Sequence, residues 1–279
     1  DGWLNRYLRS TPDPNATSFR AVSISNTLPR ALSGQARALA LRDLADANAG
    51  AVVKSAYEAM YNQETNSLIS GSAKEMFNAV QTVKSLKLDE MQPAKGVNYQ
   101  RQGDFAPSLQ QVAKLIKSNV GVEVACVDIG GWDTHNGQGG VEGFGSLQQP
   151  LRQFATGLAA FCQDLGDRME DVVILTMSEF GRTVRENGSA GTDHGHGNVM
   201  FVAGGAVAGG KVYGQWPGLA REQLWEARDL AVTTDFRDVF AELLTGHLGC
   251  QKPDAVFPDY AIDSKRYRGL LRPSSTATG

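Results

Sequence analysis

The chain has 279 residues, with 27 basic and 30 acidic side chains and a formal charge of -3. That length suits one large α/β domain or two small ones, of which one is expected. The near-balance of charge gives no reason to expect nucleic acid or an anionic membrane surface as a partner. No apolar run reaches the length of about eighteen residues needed for a membrane span.

Three cysteines, Cys126, Cys162 and Cys250, lie far apart and form no CxxC. Cys126 and Cys162 read as buried free thiols, and Cys250 as exposed or paired. An odd count excludes a fully internal disulfide framework and leaves the compartment open.

In chain order, Trp3 to Arg9 reads as a short amphipathic helix, and Thr11 to Asn15 as a loop held open by two prolines. Phe19 to Ser25 alternates apolar and polar residues, which predicts a strand near an edge. Helical stripes follow over Asn48–Gln63 and from Leu68 to about Leu88, the second through Met76, Phe77, Val80, Val83 and Leu86. The segment 48–90 is expected to pack on the main domain. After the polar loop Pro93 to Gly103, Asp104 to Ser118 is again helical.

The stretch from Val122 to Ala203 holds three of the chain's four histidines. It reads as three apolar strands, each next to a polar, glycine-rich segment: VEVACVDIGGWDTHNG, DVVILTMSEFGRTVRENG, and SAGTDHGHGN running into VMFVAGG. A helix from Phe144 to Leu165 separates the first two. This βαβ pattern predicts parallel strands, with chemistry at their carboxyl ends. Farther on, Val212 and Tyr213 suggest a short hairpin. Asp235 to Leu244 suggests a helix capped by Thr234 and stopped by Gly246. The last residues, 272–279, read as a disordered tail after a single domain spanning 1–271.

The chemistry concentrates in three loops. Asp133 and His135, two apart in an extended segment, point the same way and could bind one ion; the alternative is a turn cap beside an ordinary histidine. Glu179 closes the second strand. Arg182 either clamps an oxyanion through its fork of donors or neutralises Glu179. Asp193, His194 and His196 place three donors within four residues, with glycines that let the backbone turn around a small ion. Six oxygen and nitrogen donors without a thiolate suit one or two divalent ions such as Zn²⁺, Mn²⁺ or Fe²⁺. His247 reads as a neighbour of a helix C-terminus rather than a ligand. No G-x-S-x-G, P-loop or G-x-G-x-x-G element occurs, so serine-hydrolase, NTPase and dinucleotide readings lose support.

The segments DGWLNRYL, DIGGWDTHNGQ, VVILTMSEFGRT, GTDHGHGN and TTDFRDVFAELL resemble the DUF1501 family, within the alkaline-phosphatase-like superfamily of phosphatases and sulfatases. The resemblance implies a three-layer α/β/α sandwich with a mostly parallel sheet and a metal site at the strand ends. It also implies export to the periplasm. By motif, Asp133 and His135 fall where the superfamily has an aspartate and histidine on one metal, and His194 and His196 near a later histidine ligand. Glu179 and Phe180 stand where an Asp-His pair is common, and Phe180 cannot ligate. The family's usual amino-terminal signal and first glycine-ended strand precede the start of this chain. The expectation is a longer natural protein, or a partner segment that completes the sheet.

Two functions follow as expectations. One is a metal-dependent hydrolase of small phosphate or sulfate esters, with Asp133, His135, Glu179, Asp193, His194 and His196 holding metal and Arg182 steadying the oxyanion. The other is a noncatalytic metal- or ligand-binding exported protein with a degenerate enzyme site.

Overall fold

The computed structural model of the protein describes residues 1–44, 67–99, 103–140 and 145–273. The predicted helix Asn48–Gln63, Arg101, the start of the predicted helix at Phe144 and most of the predicted tail lie outside the described residues. The fold is mixed α/β, with five α-helices and a three-stranded parallel sheet among the described residues. Two compact units divide the chain: Asp1–Ile129 with Gln153–Leu165, and Gly130–Arg152 with Gly166–Gly279.

In the first unit, helix α1 (Trp3–Ser10) buries Leu4, Asn5, Tyr7 and Leu8 on one side. Asn5 is a buried polar residue with its hydrogen bonds made. Its Nδ2 donates to Leu32 O at 2.8 Å and Ala36 O at 2.9 Å, and its Oδ1 accepts from Ala36 N. That staples the connector to the helix. Strand β1 (Ala21–Ser23) pairs in parallel with β2 (Leu39–Ala40) on one side and β3 (Val124–Cys126) on the other. Its three residues are all buried. The strand expected near an edge is therefore the central one, because the short segments flanking it satisfy both of its hydrogen-bonding edges.

Tyr7 hydroxyl donates to the Glu123 carboxylate, which also accepts from Arg20 Nε. Burial, and then Glu123, push the Tyr7 phenol well above its ordinary pKa. Helix α2 (Ser67–Ser85) buries Ala79 and Val83, while Met76 and Leu86 are exposed. Among the side chains described from residue 76 onward, the buried stripe is narrower than the apolar pattern suggested. Helix α3 (Phe105–Lys117) turns Phe105, Leu109, Val112 and Ala113 inward.

Helix α4 (Gln148–Leu165) begins in the second unit, through Arg152, and supplies Gln153–Leu165 to the first. There Phe154 stacks against Phe105 with ring centroids 6.0 Å apart. Asp164 accepts from Ala94 N at 2.6 Å, Tyr99 hydroxyl at 3.0 Å and Lys117 Nζ at 2.7 Å.

In the second unit, β4 (Val173–Leu175) pairs with β7 (Val202–Gly204), and the pairing is antiparallel. The expected parallel arrangement of these two strands fails for a topological reason. Parallel neighbours need a long crossover, usually a helix. Here the intervening chain instead folds back on itself, pairing β5 (Gly181–Arg182) with β6 (His194–Gly195). Between these two separate ladders, Thr176 N donates to Phe201 O at 3.0 Å and Asn198 Nδ2 to Phe180 O at 2.6 Å.

Helix α5 (Phe236–Gly246) is capped by Asp235, whose carboxylate accepts from Arg237 N at 2.9 Å, rather than by Thr234. Glu242 on this helix accepts from Arg268 N and Leu270 N, both at 2.6 Å. Val212 and Tyr213 form no strand, and Val212 is fully exposed. Cys250 is free and wholly buried, neither exposed nor paired as expected. Cys126 and Cys162 are free and partly buried, and burial pushes the Cys126 thiol up to about 12. No helix among the described residues is long and apolar enough to cross a membrane.

Candidate metal centre

Three chain segments of the second unit meet at the end of the β5–β6 ribbon. The backbone knits them together: Thr192 N donates to Thr134 O, Gly137 N to Ser189 O, Gln138 N to Ala190 O and Thr183 N to Asp193 O. Glycine permits the close approach at two positions. A Cβ on Gly191 would lie 2.3 Å from His135 C and O, and one on Gly195 would lie 2.4 Å from Arg182 C. The glycines of the histidine-rich loop thus serve strand contact.

The meeting brings Asp133, His135 and His194 together, with one donor atom from each lying within 4.8 Å of the others. Asp133 Oδ1 is the hub. It lies 2.7 Å from His194 Nε2, 2.9 Å from His135 Nε2 and 2.8 Å from Arg182 Nη1. The Arg182 hydrogen bond, and then that of His194, hold the Asp133 carboxyl below the usual carboxylate range.

Asp193 stands behind this group. Its Oδ1 lies 2.7 Å from His135 Nδ1 and accepts from Asn187 Nδ2 at 3.0 Å. His135, and then Asn187, depress its pKa. Asn187 Nδ2 also donates to His135 O, while Asn187 Oδ1 accepts from the amides of Ser189 and Gly191.

His135 is therefore held between two carboxylates, one at each ring nitrogen. A neutral imidazole donates from one nitrogen only. With Nδ1–H directed at Asp193, Nε2 turns a lone pair toward Asp133 Oδ1. Two lone pairs at 2.9 Å repel, and a metal ion bonded to both atoms, lying to one side of the pair, would turn that repulsion into attraction. The donor set fits a divalent metal: two imidazole nitrogens and one carboxylate, no thiolate, and a histidine whose far nitrogen is fixed by a carboxylate. Asp133, His135 and His194 would hold the ion.

The remaining expected site residues fall elsewhere. Asp193 contacts His135 and stands outside the three-donor group. Glu179 is exposed and belongs to no group of three or more potential ligands among the described residues. His196 lies parallel to Trp225, ring centroids 4.9 Å apart and planes 8° from parallel. His247 caps the C-terminal end of α5, where burial lowers its pKa.

Arg182 does not pair with Glu179. Its Nη1 donates to Asp133, its Nε to Thr192 Oγ1 at 3.0 Å and its Nη2 to Thr192 O. Three of its nitrogens hold protein acceptors, which makes it a positioning residue for Asp133. Phe180 lies flat on His194, centroids 4.3 Å apart and planes 5° from parallel, with the Arg182 guanidinium 5.4 Å from the Phe180 ring centre.

Sequence reasoning missed Asn187 and Gln138. Gln138 Oε1 accepts from Thr134 Oγ1 at 2.8 Å and Thr192 Oγ1 at 2.6 Å, tying the first loop to the third. The signal for Asn187 was the Asn-Gly pair at 187–188, a tight-turn dipeptide. Gln138 carried none.

No curated protein and no solved structure matches the chain. A family model described as a protein of unknown function matches residues 1–258, and the chain belongs to that family, DUF1501.

Proposed function

We propose that the protein is a metal-dependent hydrolase of phosphate or sulfate esters, using one divalent ion held by Asp133, His135 and His194. The observation that carries this reading is the convergence of Asp133, His135 and His194, one donor atom from each within 4.8 Å of the others, with Asp193 against the far nitrogen of His135. The likeness of GWDTH and GTDHGHGN to the alkaline-phosphatase-like superfamily supports the same reaction class, the sandwich fold and export to the periplasm. A single ion is proposed because Glu179 and His196 stand outside the three-donor group.

When bound, such an ion supplies Lewis-acid polarisation of the ester oxyanion and activation of water. The chain's own residues do the rest. Asp193 and Asn187 fix the His135 ring so that Nε2 faces inward. Phe180 holds the plane of His194. Arg182 orients Asp133 and adds a fixed positive charge beside the anionic substrate. In the reaction, water adds to phosphorus or sulfur, and the ester oxygen leaves with a proton as the free alcohol.

A second reading, metal binding without catalysis, is favoured by the openness of the centre. The Asp133 side chain is 55% exposed and that of His194 52%, so water is not excluded from the group.

The test is metal content by inductively coupled plasma mass spectrometry on protein purified without chelator, followed by an ester panel. About one equivalent of metal, lost in Asp133→Ala and His194→Ala but kept in Glu179→Ala, is expected from three-ligand coordination. Metal-dependent ester cleavage supports the hydrolase. Stoichiometric metal without turnover leaves the binding reading, and no metal after reconstitution sinks both.

A further inference from the structure

The first unit holds a cavity of about 480 Å³, within the range of about 300–1,000 Å³ usual for small-molecule sites. The turn before β1, one face of α2 and the end of α3 line it, and Arg37 supplies a cation. Among the described residues the lining contains no carboxylate. None of these residues takes part in the proposed hydrolysis.

The hydroxyls of the lining have a fixed polarity. Thr17 Oγ1 donates to Val120 O at 2.5 Å and accepts from Phe19 N at 3.1 Å, which ties the turn before β1 to the end of α3. Thr82 Oγ1 donates to Asn78 O at 3.0 Å, and Ser118 Oγ to Lys114 O at 2.8 Å. Each hydroxyl carries one proton and two acceptor lone pairs. With their protons committed to backbone carbonyls, Thr82 and Ser118 offer acceptors, and so call for donors on a ligand. Ser118 also ends α3, where the partial negative charge of the helix favours donors over anions.

Arg37 sets the opposite requirement. Its guanidinium has five donors, enough to hold a carboxylate while bonded elsewhere as well. An ammonium ligand would be repelled by Arg37 and would meet no carboxylate, so the donors must be hydroxyls. One cation matches one anionic group. Leu86, 46% exposed and one helical turn beyond Thr82, adds apolar surface for the C–H face of a ring.

We infer that this cavity binds a sugar acid, its carboxylate on Arg37 and its ring hydroxyls donating to Thr82 and Ser118. The inference is independent of the metal-hydrolase reading, whose residues belong to the second unit.

The test titrates the full chain with D-glucuronate, D-glucose and acetate, followed by ligand-observed nuclear magnetic resonance. Chelator in the buffer keeps carboxylates from binding through a metal ion. Glucuronate should bind about tenfold more tightly than glucose, which lacks the charge, and than acetate, which lacks the hydroxyls. Arg37→Gln should bring glucuronate to the affinity of glucose, while Arg37→Lys, which keeps the charge, retains the preference. Thr82→Val, nearly the same shape without the acceptor, should weaken glucuronate and glucose alike by about fivefold and leave acetate unchanged. Circular dichroism checks that each variant is folded. Failure of glucuronate to bind, equal affinity for glucuronate and either other probe, or a preference over glucose that survives in Arg37→Gln overturns the inference. Should Arg37→Gln not fold, unchanged glucuronate affinity in Thr82→Val overturns it.

Discussion

Phe180 lies flat against the imidazole of His194, ring centroids 4.3 Å apart. A residue that cannot ligate thus fixes the plane of one that can. Phe180→Ala frees that ring while leaving every donor atom in place. The expected result is a loss of metal affinity of about tenfold, within the range for groups that orient ligands. Competition against a chromophoric chelator measures it, and unchanged affinity would show that the stack is incidental.

Asp193 is assigned to hold His135 from behind rather than to touch the ion. Asp193→Ala should weaken metal binding by about 10- to 100-fold without abolishing it. Asp193→Asn, which keeps an acceptor for Nδ1–H, should lie between that variant and wild type. Complete loss of metal in both variants, matching His194→Ala, would make Asp193 a ligand.

Asp235 caps α5 and also pairs with Arg237, whose side chain is the main cause of its lowered pKa. Asp235→Ala should cost about 1 kcal/mol in denaturant titration, as for other lost caps. Because the folded-state pKa is depressed, the ionic part of this contribution is present above the unfolded value of about 3.9. It disappears as pH falls through the folded value. Asp235→Asn keeps a cap and should flatten that acid limb, and an unchanged acid limb would exclude Asp235 as its source.

Asp164 has no exposed side-chain surface and accepts from three donors. Removing it strands a mostly buried ammonium on Lys117 and the hydroxyl of Tyr99. Asp164→Ala should therefore lose about 3 kcal/mol or more of stability. Denaturation followed by circular dichroism checks this, and a change below about 1 kcal/mol would mean that water replaces the carboxylate.

The site was more legible in the sequence than the topology around it. Asp133, His135 and His194 announce themselves as charged and imidazole groups beside apolar strands, in a chain with few histidines. Their neighbours are a different matter. Whether Arg182 turns to Glu179 or to Asp133 depends on a contact across 49 positions, which no local pattern encodes. Glu179 looked equivalent to Asp133 by residue type, and only the path of the ribbon separates them. The same holds for β1. Its alternating sequence suited a half-exposed strand, and partners on both sides made it central. Apolar character marked β4 and β7 as strands, but their direction was set by the fold-back between residues 183 and 193, where glycines and backbone bonds decide.

The first unit takes its last helical segment, Gln153–Leu165, from beyond a stretch that belongs to the second. During synthesis, then, the first unit cannot close until Leu165 has left the ribosome. By that moment Asp133 and His135 have already emerged, while His194 is still enclosed by the ribosome. Until His194 is released, part of the proposed cation site is exposed to the surroundings without the rest. A metal added during translation would meet two donors, and only the finished ribbon offers three.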